Sequence, residues 1–381
     1  MPCEMRGHFV CTVADVHITA FVAGCAIVGA ILWDAFETLV LPRTPMRTLR
    51  MTRLYYRATW WPWVMCARTL RSDNRRERFL AVYGPLSVIG LLTLWAATLV
   101  LGFALLQWSQ RERLLNLPSD PHFFDDLYMS ATTLFTFGLG DLMPKARGGR
   151  LLIVAEASSS LMLLTMVIAY LSILYQSFSR REVGLTMLDA WAGSPPSATE
   201  ILRRIATSGG ISELDRFFAD WERWCSDILE SHLSYPAIGY FRSQHPRQSW
   251  VSALTTVLDL AALVKVGIAG LPTWRAHLAF AMARHAAVDL SQVLGEDVLG
   301  VTDRLPPHEL TALRDELEQA GLRLNRSCEA DRELAELRVL YEPYVTSLSN
   351  RLMTPLPRWR PASRTADNWQ TSPANDSEAH F

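Results

Sequence analysis

The sequence has no close cysteine pair. Cys3, Cys11, Cys25, Cys66, Cys225 and Cys328 are scattered along 381 residues, so neither a disulfide framework nor a zinc site has support. HExxH is absent, and His232, His245, His277, His285 and His308 show no metal-ligand spacing, so no catalytic or structural metal is expected. No GxGxxG follows a strand, so the second half of the chain does not look like a nucleotide-binding domain. Excess charge is also missing: 37 Lys and Arg against 38 Asp and Glu give a net charge of -1, and nothing points to a nucleic acid partner. With 50% hydrophobic residues, the chain suits neither a disordered polymer nor a wholly membrane-buried protein. The near-zero total hides a split. Residues 1–179 carry 16 basic against 12 acidic side chains, and residues 180–381 carry 21 against 26.

Three apolar runs, at about 18–41, 79–107 and 151–178, reach the roughly 20 residues that cross hydrocarbon as a helix. Val22-Ala23-Gly24-Cys25 resembles a lipoprotein cleavage box, but the apolar run continues past Cys25 to Trp33 and only Arg6 is basic before it, which favours a retained spanning helix. Between the first two runs lie Arg43, Arg47, Arg50, Arg53, Arg57, Arg68, Arg71, Arg75, Arg76 and Arg78, opposed by Asp73 and Glu77. The positive-inside rule puts this segment, 42–78, in the cytoplasm, residues 1–41 as an external N-terminus with a first span, and everything after 182 in the cytoplasm. The first five arginines recur 4, 3, 3 and 4 apart, the spacing of a voltage-sensing helix, yet only one span precedes them. With Tyr55, Tyr56, Trp60, Trp61 and Trp63 following, an amphipathic helix in the inner interface, interrupted by Pro62, is the stronger reading. Asp34 and Glu37 either pair with these arginines or sit at headgroup level.

The segment 121–145 is too short to span twice and ends in a glycine alternation. Such a segment reads as re-entrant, and non-helical backbone at membrane depth implies a protein-lined pore or cavity. Asp125 and Asp126 suit the positive end of a short helix. Alternate glycines, Gly138 and Gly140, let a backbone turn successive carbonyls inward, where they can replace the water around a cation. The carbonyls of Thr136, Phe137, Gly138 and Leu139 and the Thr136 hydroxyl are the expected ligands.

Thr133, Thr136, Gly138, Leu139, Gly140 and Asp141, set between two apolar helices, resemble the pore loop of the potassium channel family, and 151–178 with its exit through Arg181 and Glu182 resembles the pore-lining helix. The resemblance covers about 79–182. It implies an all-α membrane protein with three spanning helices, a re-entrant pore helix and filter, and no enzymatic activity. One pore loop per chain implies a homotetramer in the bacterial inner membrane that passes potassium ions and needs no other cofactor. Thr133 and Asp141 fall at the filter's support and entrance; Asp141 either concentrates cations or anchors the filter to the pore helix. Glu156 faces protein or water, and a packing role behind the filter is favoured over ion binding. Ser158, Ser159 and Ser160 line a wet cavity or permit close helix contact. Leu139 departs from the usual Tyr or Phe: leucine packs but donates no hydrogen bond. Two alternatives stand beside the selective channel, a weakly selective cation channel and a non-conducting membrane-anchored helical scaffold.

Beyond Gly193-Ser194-Pro195-Pro196, amphipathic helices are expected at about 198–208, 211–234, 248–268, 273–294, 307–323 and 327–350, forming an all-helical cytoplasmic domain over 183–354. Trp221, Trp224, Leu229, Leu254, Val257, Leu260, Leu263, Leu278, Phe280 and Met282 read as core. The run 250–269 is apolar enough to raise a fourth span, but Asp259 and Lys265 interrupt it. Residues 355–381, rich in Pro, Ser, Asn and Asp, read as a disordered tail.

Overall fold

A computed structural model describes residues 3–41, 51–110, 114–115, 122–144, 147–245, 247–268, 273–294 and 303–360. The chain divides into two units, Met1–Ile173 and Leu174–Phe381.

The first unit contains α1 (Cys3–Leu39), α2 (Met51–Thr69), α3 (Asp73–Trp108), α4 (Phe123–Leu134) and the start of α5 (Arg147–Ala192). Helix α1 packs along α3, and the cleavage-box resemblance dissolves into that packing. A Cβ on Gly24 would lie 2.9 Å from the Gly102 carbonyl oxygen, and one on Gly102 would lie 2.8 Å from Val28. Small residues here let two spanning backbones approach, which is how helices associate where lipid competes for apolar surface. Asp34 is buried and accepts from the Thr52 hydroxyl at 2.8 Å and the Trp95 indole at 2.9 Å, so among the described residues its partners are neutral donors rather than arginines. Glu37 accepts from the Trp33 indole at 2.9 Å. Arg43, Arg47 and Arg50 lie outside the described residues.

Helix α2 turns Tyr56, Trp60, Val64 and Ala67 inward. Trp63 stacks on Phe79 of α3 at 4.4 Å between centroids and donates to its carbonyl at 3.2 Å. The expected interruption at Pro62 does not occur. Pro62 and Ala58, the residue four before it whose carbonyl loses its donor, both face outward, where polar surroundings can satisfy that oxygen.

The expected inner helix, 151–178, is longer: α5 runs on to Ala192, so the boundary placed at 182 falls inside it. It stops where Gly193 takes φ 70 and two prolines follow, a left-handed terminus that glycine adopts without penalty.

The second unit holds the end of α5, then α6 (Ala198–Thr207), α7 (Leu214–Ser234), α8 (Trp250–Gly267), α9 (Trp274–Leu294), α10 (Pro307–Gln319), α11 (Cys328–Val339) and α12 (Glu342–Leu352). Helix α8 starts where the Ser249 side chain accepts from the Ser252 amide at 3.0 Å. Among the described residues four helices, α8 included, are long and apolar enough to cross a membrane, but 89% of α8 is buried inside the protein. Asp259, halfway along it, forms a two-pronged pair with Arg304 at 2.6 and 3.1 Å and accepts from the Tyr341 hydroxyl at 2.6 Å. Arg304 reaches on to Glu342 at 3.3 Å, and Arg338 joins Glu342 at 3.1 Å to Asp303 at 2.5 Å. An enclosed carboxylate needs such partners, and these arrive from residues more than 40 positions away. Of the residues expected in the core, Leu278 and Met282 are half-buried and the others are buried.

Three expectations need correction. The single helix over 327–350 is two, α11 and α12, because Pro343 at the start of α12 offers no amide to the preceding turn. Helix α10 ends at Gln319 rather than 323, with Gly321 at φ 97. Residues 355–360 are not a disordered tail. The Trp359 side chain is buried beneath the Arg304 and Arg338 guanidiniums, its carbonyl accepts from Thr199 at 2.6 Å and Ser197 at 2.9 Å, and the Pro357 carbonyl accepts from Arg304 at 2.8 Å. Composition hid this, because the attachment is made by backbone carbonyls, one tryptophan and the Arg360 guanidinium, which reaches Glu316 at 3.0 Å and Glu309 at 3.4 Å. The remainder of the expected tail, 361–381, lies outside the described residues.

Candidate functional site: the pore loop

The pore helix, α4, begins after His122, whose amide donates to the Asp125 side chain at 2.9 Å, so Asp125 satisfies a free donor of the first turn and favours its positive end. The loop is closed at its base by a short antiparallel pair, β1 (Leu114–Leu115) and β2 (Met143–Pro144). Helix α4 packs on α3.

Past α4 the chain leaves the helix but stays tied to it. The Phe137 and Gly138 amides donate to the Thr132 carbonyl at 2.8 and 3.4 Å, and the Thr136 amide donates to Thr133 at 3.0 Å. Thr136, Gly138 and Gly140 take φ of 60, 52 and 77, whereas Phe137 and Leu139 between them do not take positive φ. Alternating hands along a chain are the backbone pattern that can carry successive carbonyls toward the same side, as the expected ion ligands require. Thr136 is the telling member. A branched residue at positive φ is strained by the order of 1–3 kcal/mol, and such strain persists where surrounding structure imposes it.

Thr133 uses its hydroxyl locally, donating to the Met129 carbonyl at 2.8 Å. Asp141 accepts from the Leu142 amide at 3.1 Å and lies against the Tyr128 phenol of α4. Glu156 is fully buried, and its carboxylate takes the Gln107 amide of α3 at 2.6 Å and the Ser130 hydroxyl of α4. Ser130 also bonds the Val100 carbonyl at 3.0 Å. One carboxyl group on α5 thus ties together α3 and α4. Ser158, Ser159 and Ser160 return their hydroxyls to the carbonyls four residues back at 2.7, 2.7 and 2.8 Å.

Sequence reasoning did not single out Thr132, Ser130 or Gln107. Gln107 carried a signal, being a polar side chain at the end of an apolar run; the Thr132 contribution is a carbonyl and carried none. Residues 90–177 match the ion channel family. The matched segment takes in the second half of α3, the whole pore loop and α5 as far as Ser177, and leaves α1, α2 and everything after α5 outside. The chain is therefore an all-α membrane protein with an ion channel segment. It is also similar to an uncharacterized membrane protein, YdjJ, of Bacillus subtilis (strain 168), 23% identical over 211 residues that cover 55% of this chain and 60% of that protein. No solved structure matches.

Proposed function

We propose that four copies of this chain surround an axis and form a cation channel that conducts potassium ions, with the carbonyls of Thr136, Phe137, Gly138, Leu139 and Gly140 replacing the water of a dehydrated ion. The observation that carries this reading is the alternation of positive φ at Thr136, Gly138 and Gly140, in a segment whose amides point back to the pore helix. Amides turned back to α4 leave the carbonyls free for cations. Glu156 and Thr133 hold this row in place, and Asp141, held by Tyr128, sets its outer end. The basic segment 42–78 and the domain after α5 face the cytoplasm, in keeping with the arginine bias.

Leu139 favours a second reading in the same class. Its side chain is 64% exposed in the single chain and has no donor to brace the filter, so a pore held by packing alone would discriminate weakly between potassium and sodium. Flux through the full chain in liposomes under opposed potassium and sodium gradients separates the two. A reversal potential near that of potassium, lost in Gly138→Asp, is the expected outcome. A reversal near zero selects the weakly selective pore, and an equal leak in both proteins rejects conduction through this loop.

A further inference from the structure

Helix α2 has two apolar stripes, and the described residues cover one of them. Tyr56, Trp60, Val64 and Ala67 are buried, with Trp60 against Tyr83 of α3 at 4.6 Å between centroids. Leu54, Ala58, Trp61 and Met65, spaced 4, 3 and 4 apart, form a second stripe on the outer side, with Leu54 63%, Trp61 64% and Met65 46% exposed. By helical position, Arg57 and Arg68 run along the edge between the two stripes. Arg71, Arg75 and Arg78 continue the basic surface through the turn into α3.

Among the described residues these charges have few acidic neighbours. Asp73 is taken by Arg76 at 2.8 Å, and Glu77 has a partner of its own. Among the described residues, Arg53, Arg57, Arg68, Arg71, Arg75 and Arg78 have no acidic partner. Helix α2 sits in the chain between two spanning helices, so it meets the membrane at the level of the headgroups. A tryptophan and aliphatic stripe beside free guanidiniums matches the boundary of acyl chains and anionic headgroups, where arginine stems lie on apolar surface and their heads reach phosphate.

We propose that the outer face of α2 and the turn into α3 bind anionic phospholipid of the bilayer, with Leu54, Trp61 and Met65 in the acyl boundary and Arg57, Arg68 and Arg75 on the headgroup phosphates. This surface lies outside the segment that matches ion channels and does not depend on conduction. The test is therefore binding rather than flux.

The full chain in neutral detergent is titrated with phosphatidylglycerol, phosphatidylcholine, soluble glycerol 3-phosphate and a single-stranded oligonucleotide, and bound molecules are counted by native mass spectrometry. Phosphatidylglycerol should be preferred over phosphatidylcholine by about tenfold or more, and the triple variant Arg57→Gln, Arg68→Gln, Arg75→Gln should bring the two lipids level. The exposed control pair Arg323→Gln, Arg332→Gln should keep the preference. Raising salt from about 50 mM to about 500 mM should erode it in the unmodified chain, a reading that stands even if the triple variant fails to fold. Equal binding of the two lipids, a preference untouched by the triple variant or by salt, or stronger retention of glycerol 3-phosphate or the oligonucleotide would each overturn the proposal.

Discussion

His232 shows how a single side chain sets a pH dependence. It is fully buried in α7, its Nδ1 donates to the Ile228 carbonyl at 3.0 Å, and its ring lies 4.9 Å from that of Trp250. Burial, with the Arg181 guanidinium adding to it, pushes the imidazole well below its ordinary value of 6.5. The folded chain keeps His232 neutral, while the unfolded chain takes up a proton below pH 6.5. More protons on the unfolded state means stability that is full above pH 6.5 and falls as pH drops below it, by up to about 1.4 kcal/mol per pH unit. Unfolding of the full chain followed between about pH 7 and pH 5 should therefore show this slope, and His232→Phe should remove that part of it. An unchanged slope in the variant would place the titration elsewhere. Asp259 is a contrasting case, a buried carboxylate whose contribution is structural: its two-pronged pairing ties α8 to Arg304.

At the scale of elements, periodicity located the helices and left their ends to punctuation. The Gly193 and Pro195 stop after α5 and the Pro343 break between α11 and α12 are local chemistry, and both were open to reading from the chain. The attachment of 355–360 was not, because its contacts reach distant residues, through backbone carbonyls to Ser197, Thr199, Ser252 and Arg304 and through the Arg360 guanidinium to Glu309 and Glu316. Trp359 is 2% exposed, so Trp359→Ala should destabilise the helical unit by about 3–5 kcal/mol. Arg358→Ala, at an exposed position beside it, should change nothing. Melting temperatures of the two variants in the same detergent decide the matter, and an unaltered melt for Trp359→Ala would return this segment to a free tail.

For the molecule as a whole, the proposed channel requires more than one copy of the loop. Phe124, Phe135, Phe137 and Leu139 are 76%, 57%, 70% and 64% exposed on one short stretch, which is costly in water and purposeless in lipid for a strained backbone. Neighbouring copies would cover these side chains while bringing four carbonyl rows together. Light scattering in detergent should then return four chain masses, and a monodisperse single chain would remove the filter. The sequence alone determined the class of the protein, because crossing hydrocarbon demands long apolar helices, a local pattern, and the glycine alternation lies inside the segment that matches ion channels. Tertiary structure decided what supports them. That Glu156 binds Gln107 and Ser130, that Asp34 answers to Thr52 and Trp95, and that Asp259 answers to Arg304 depended on which distant groups folding brings within hydrogen-bond reach, a choice no local pattern encodes.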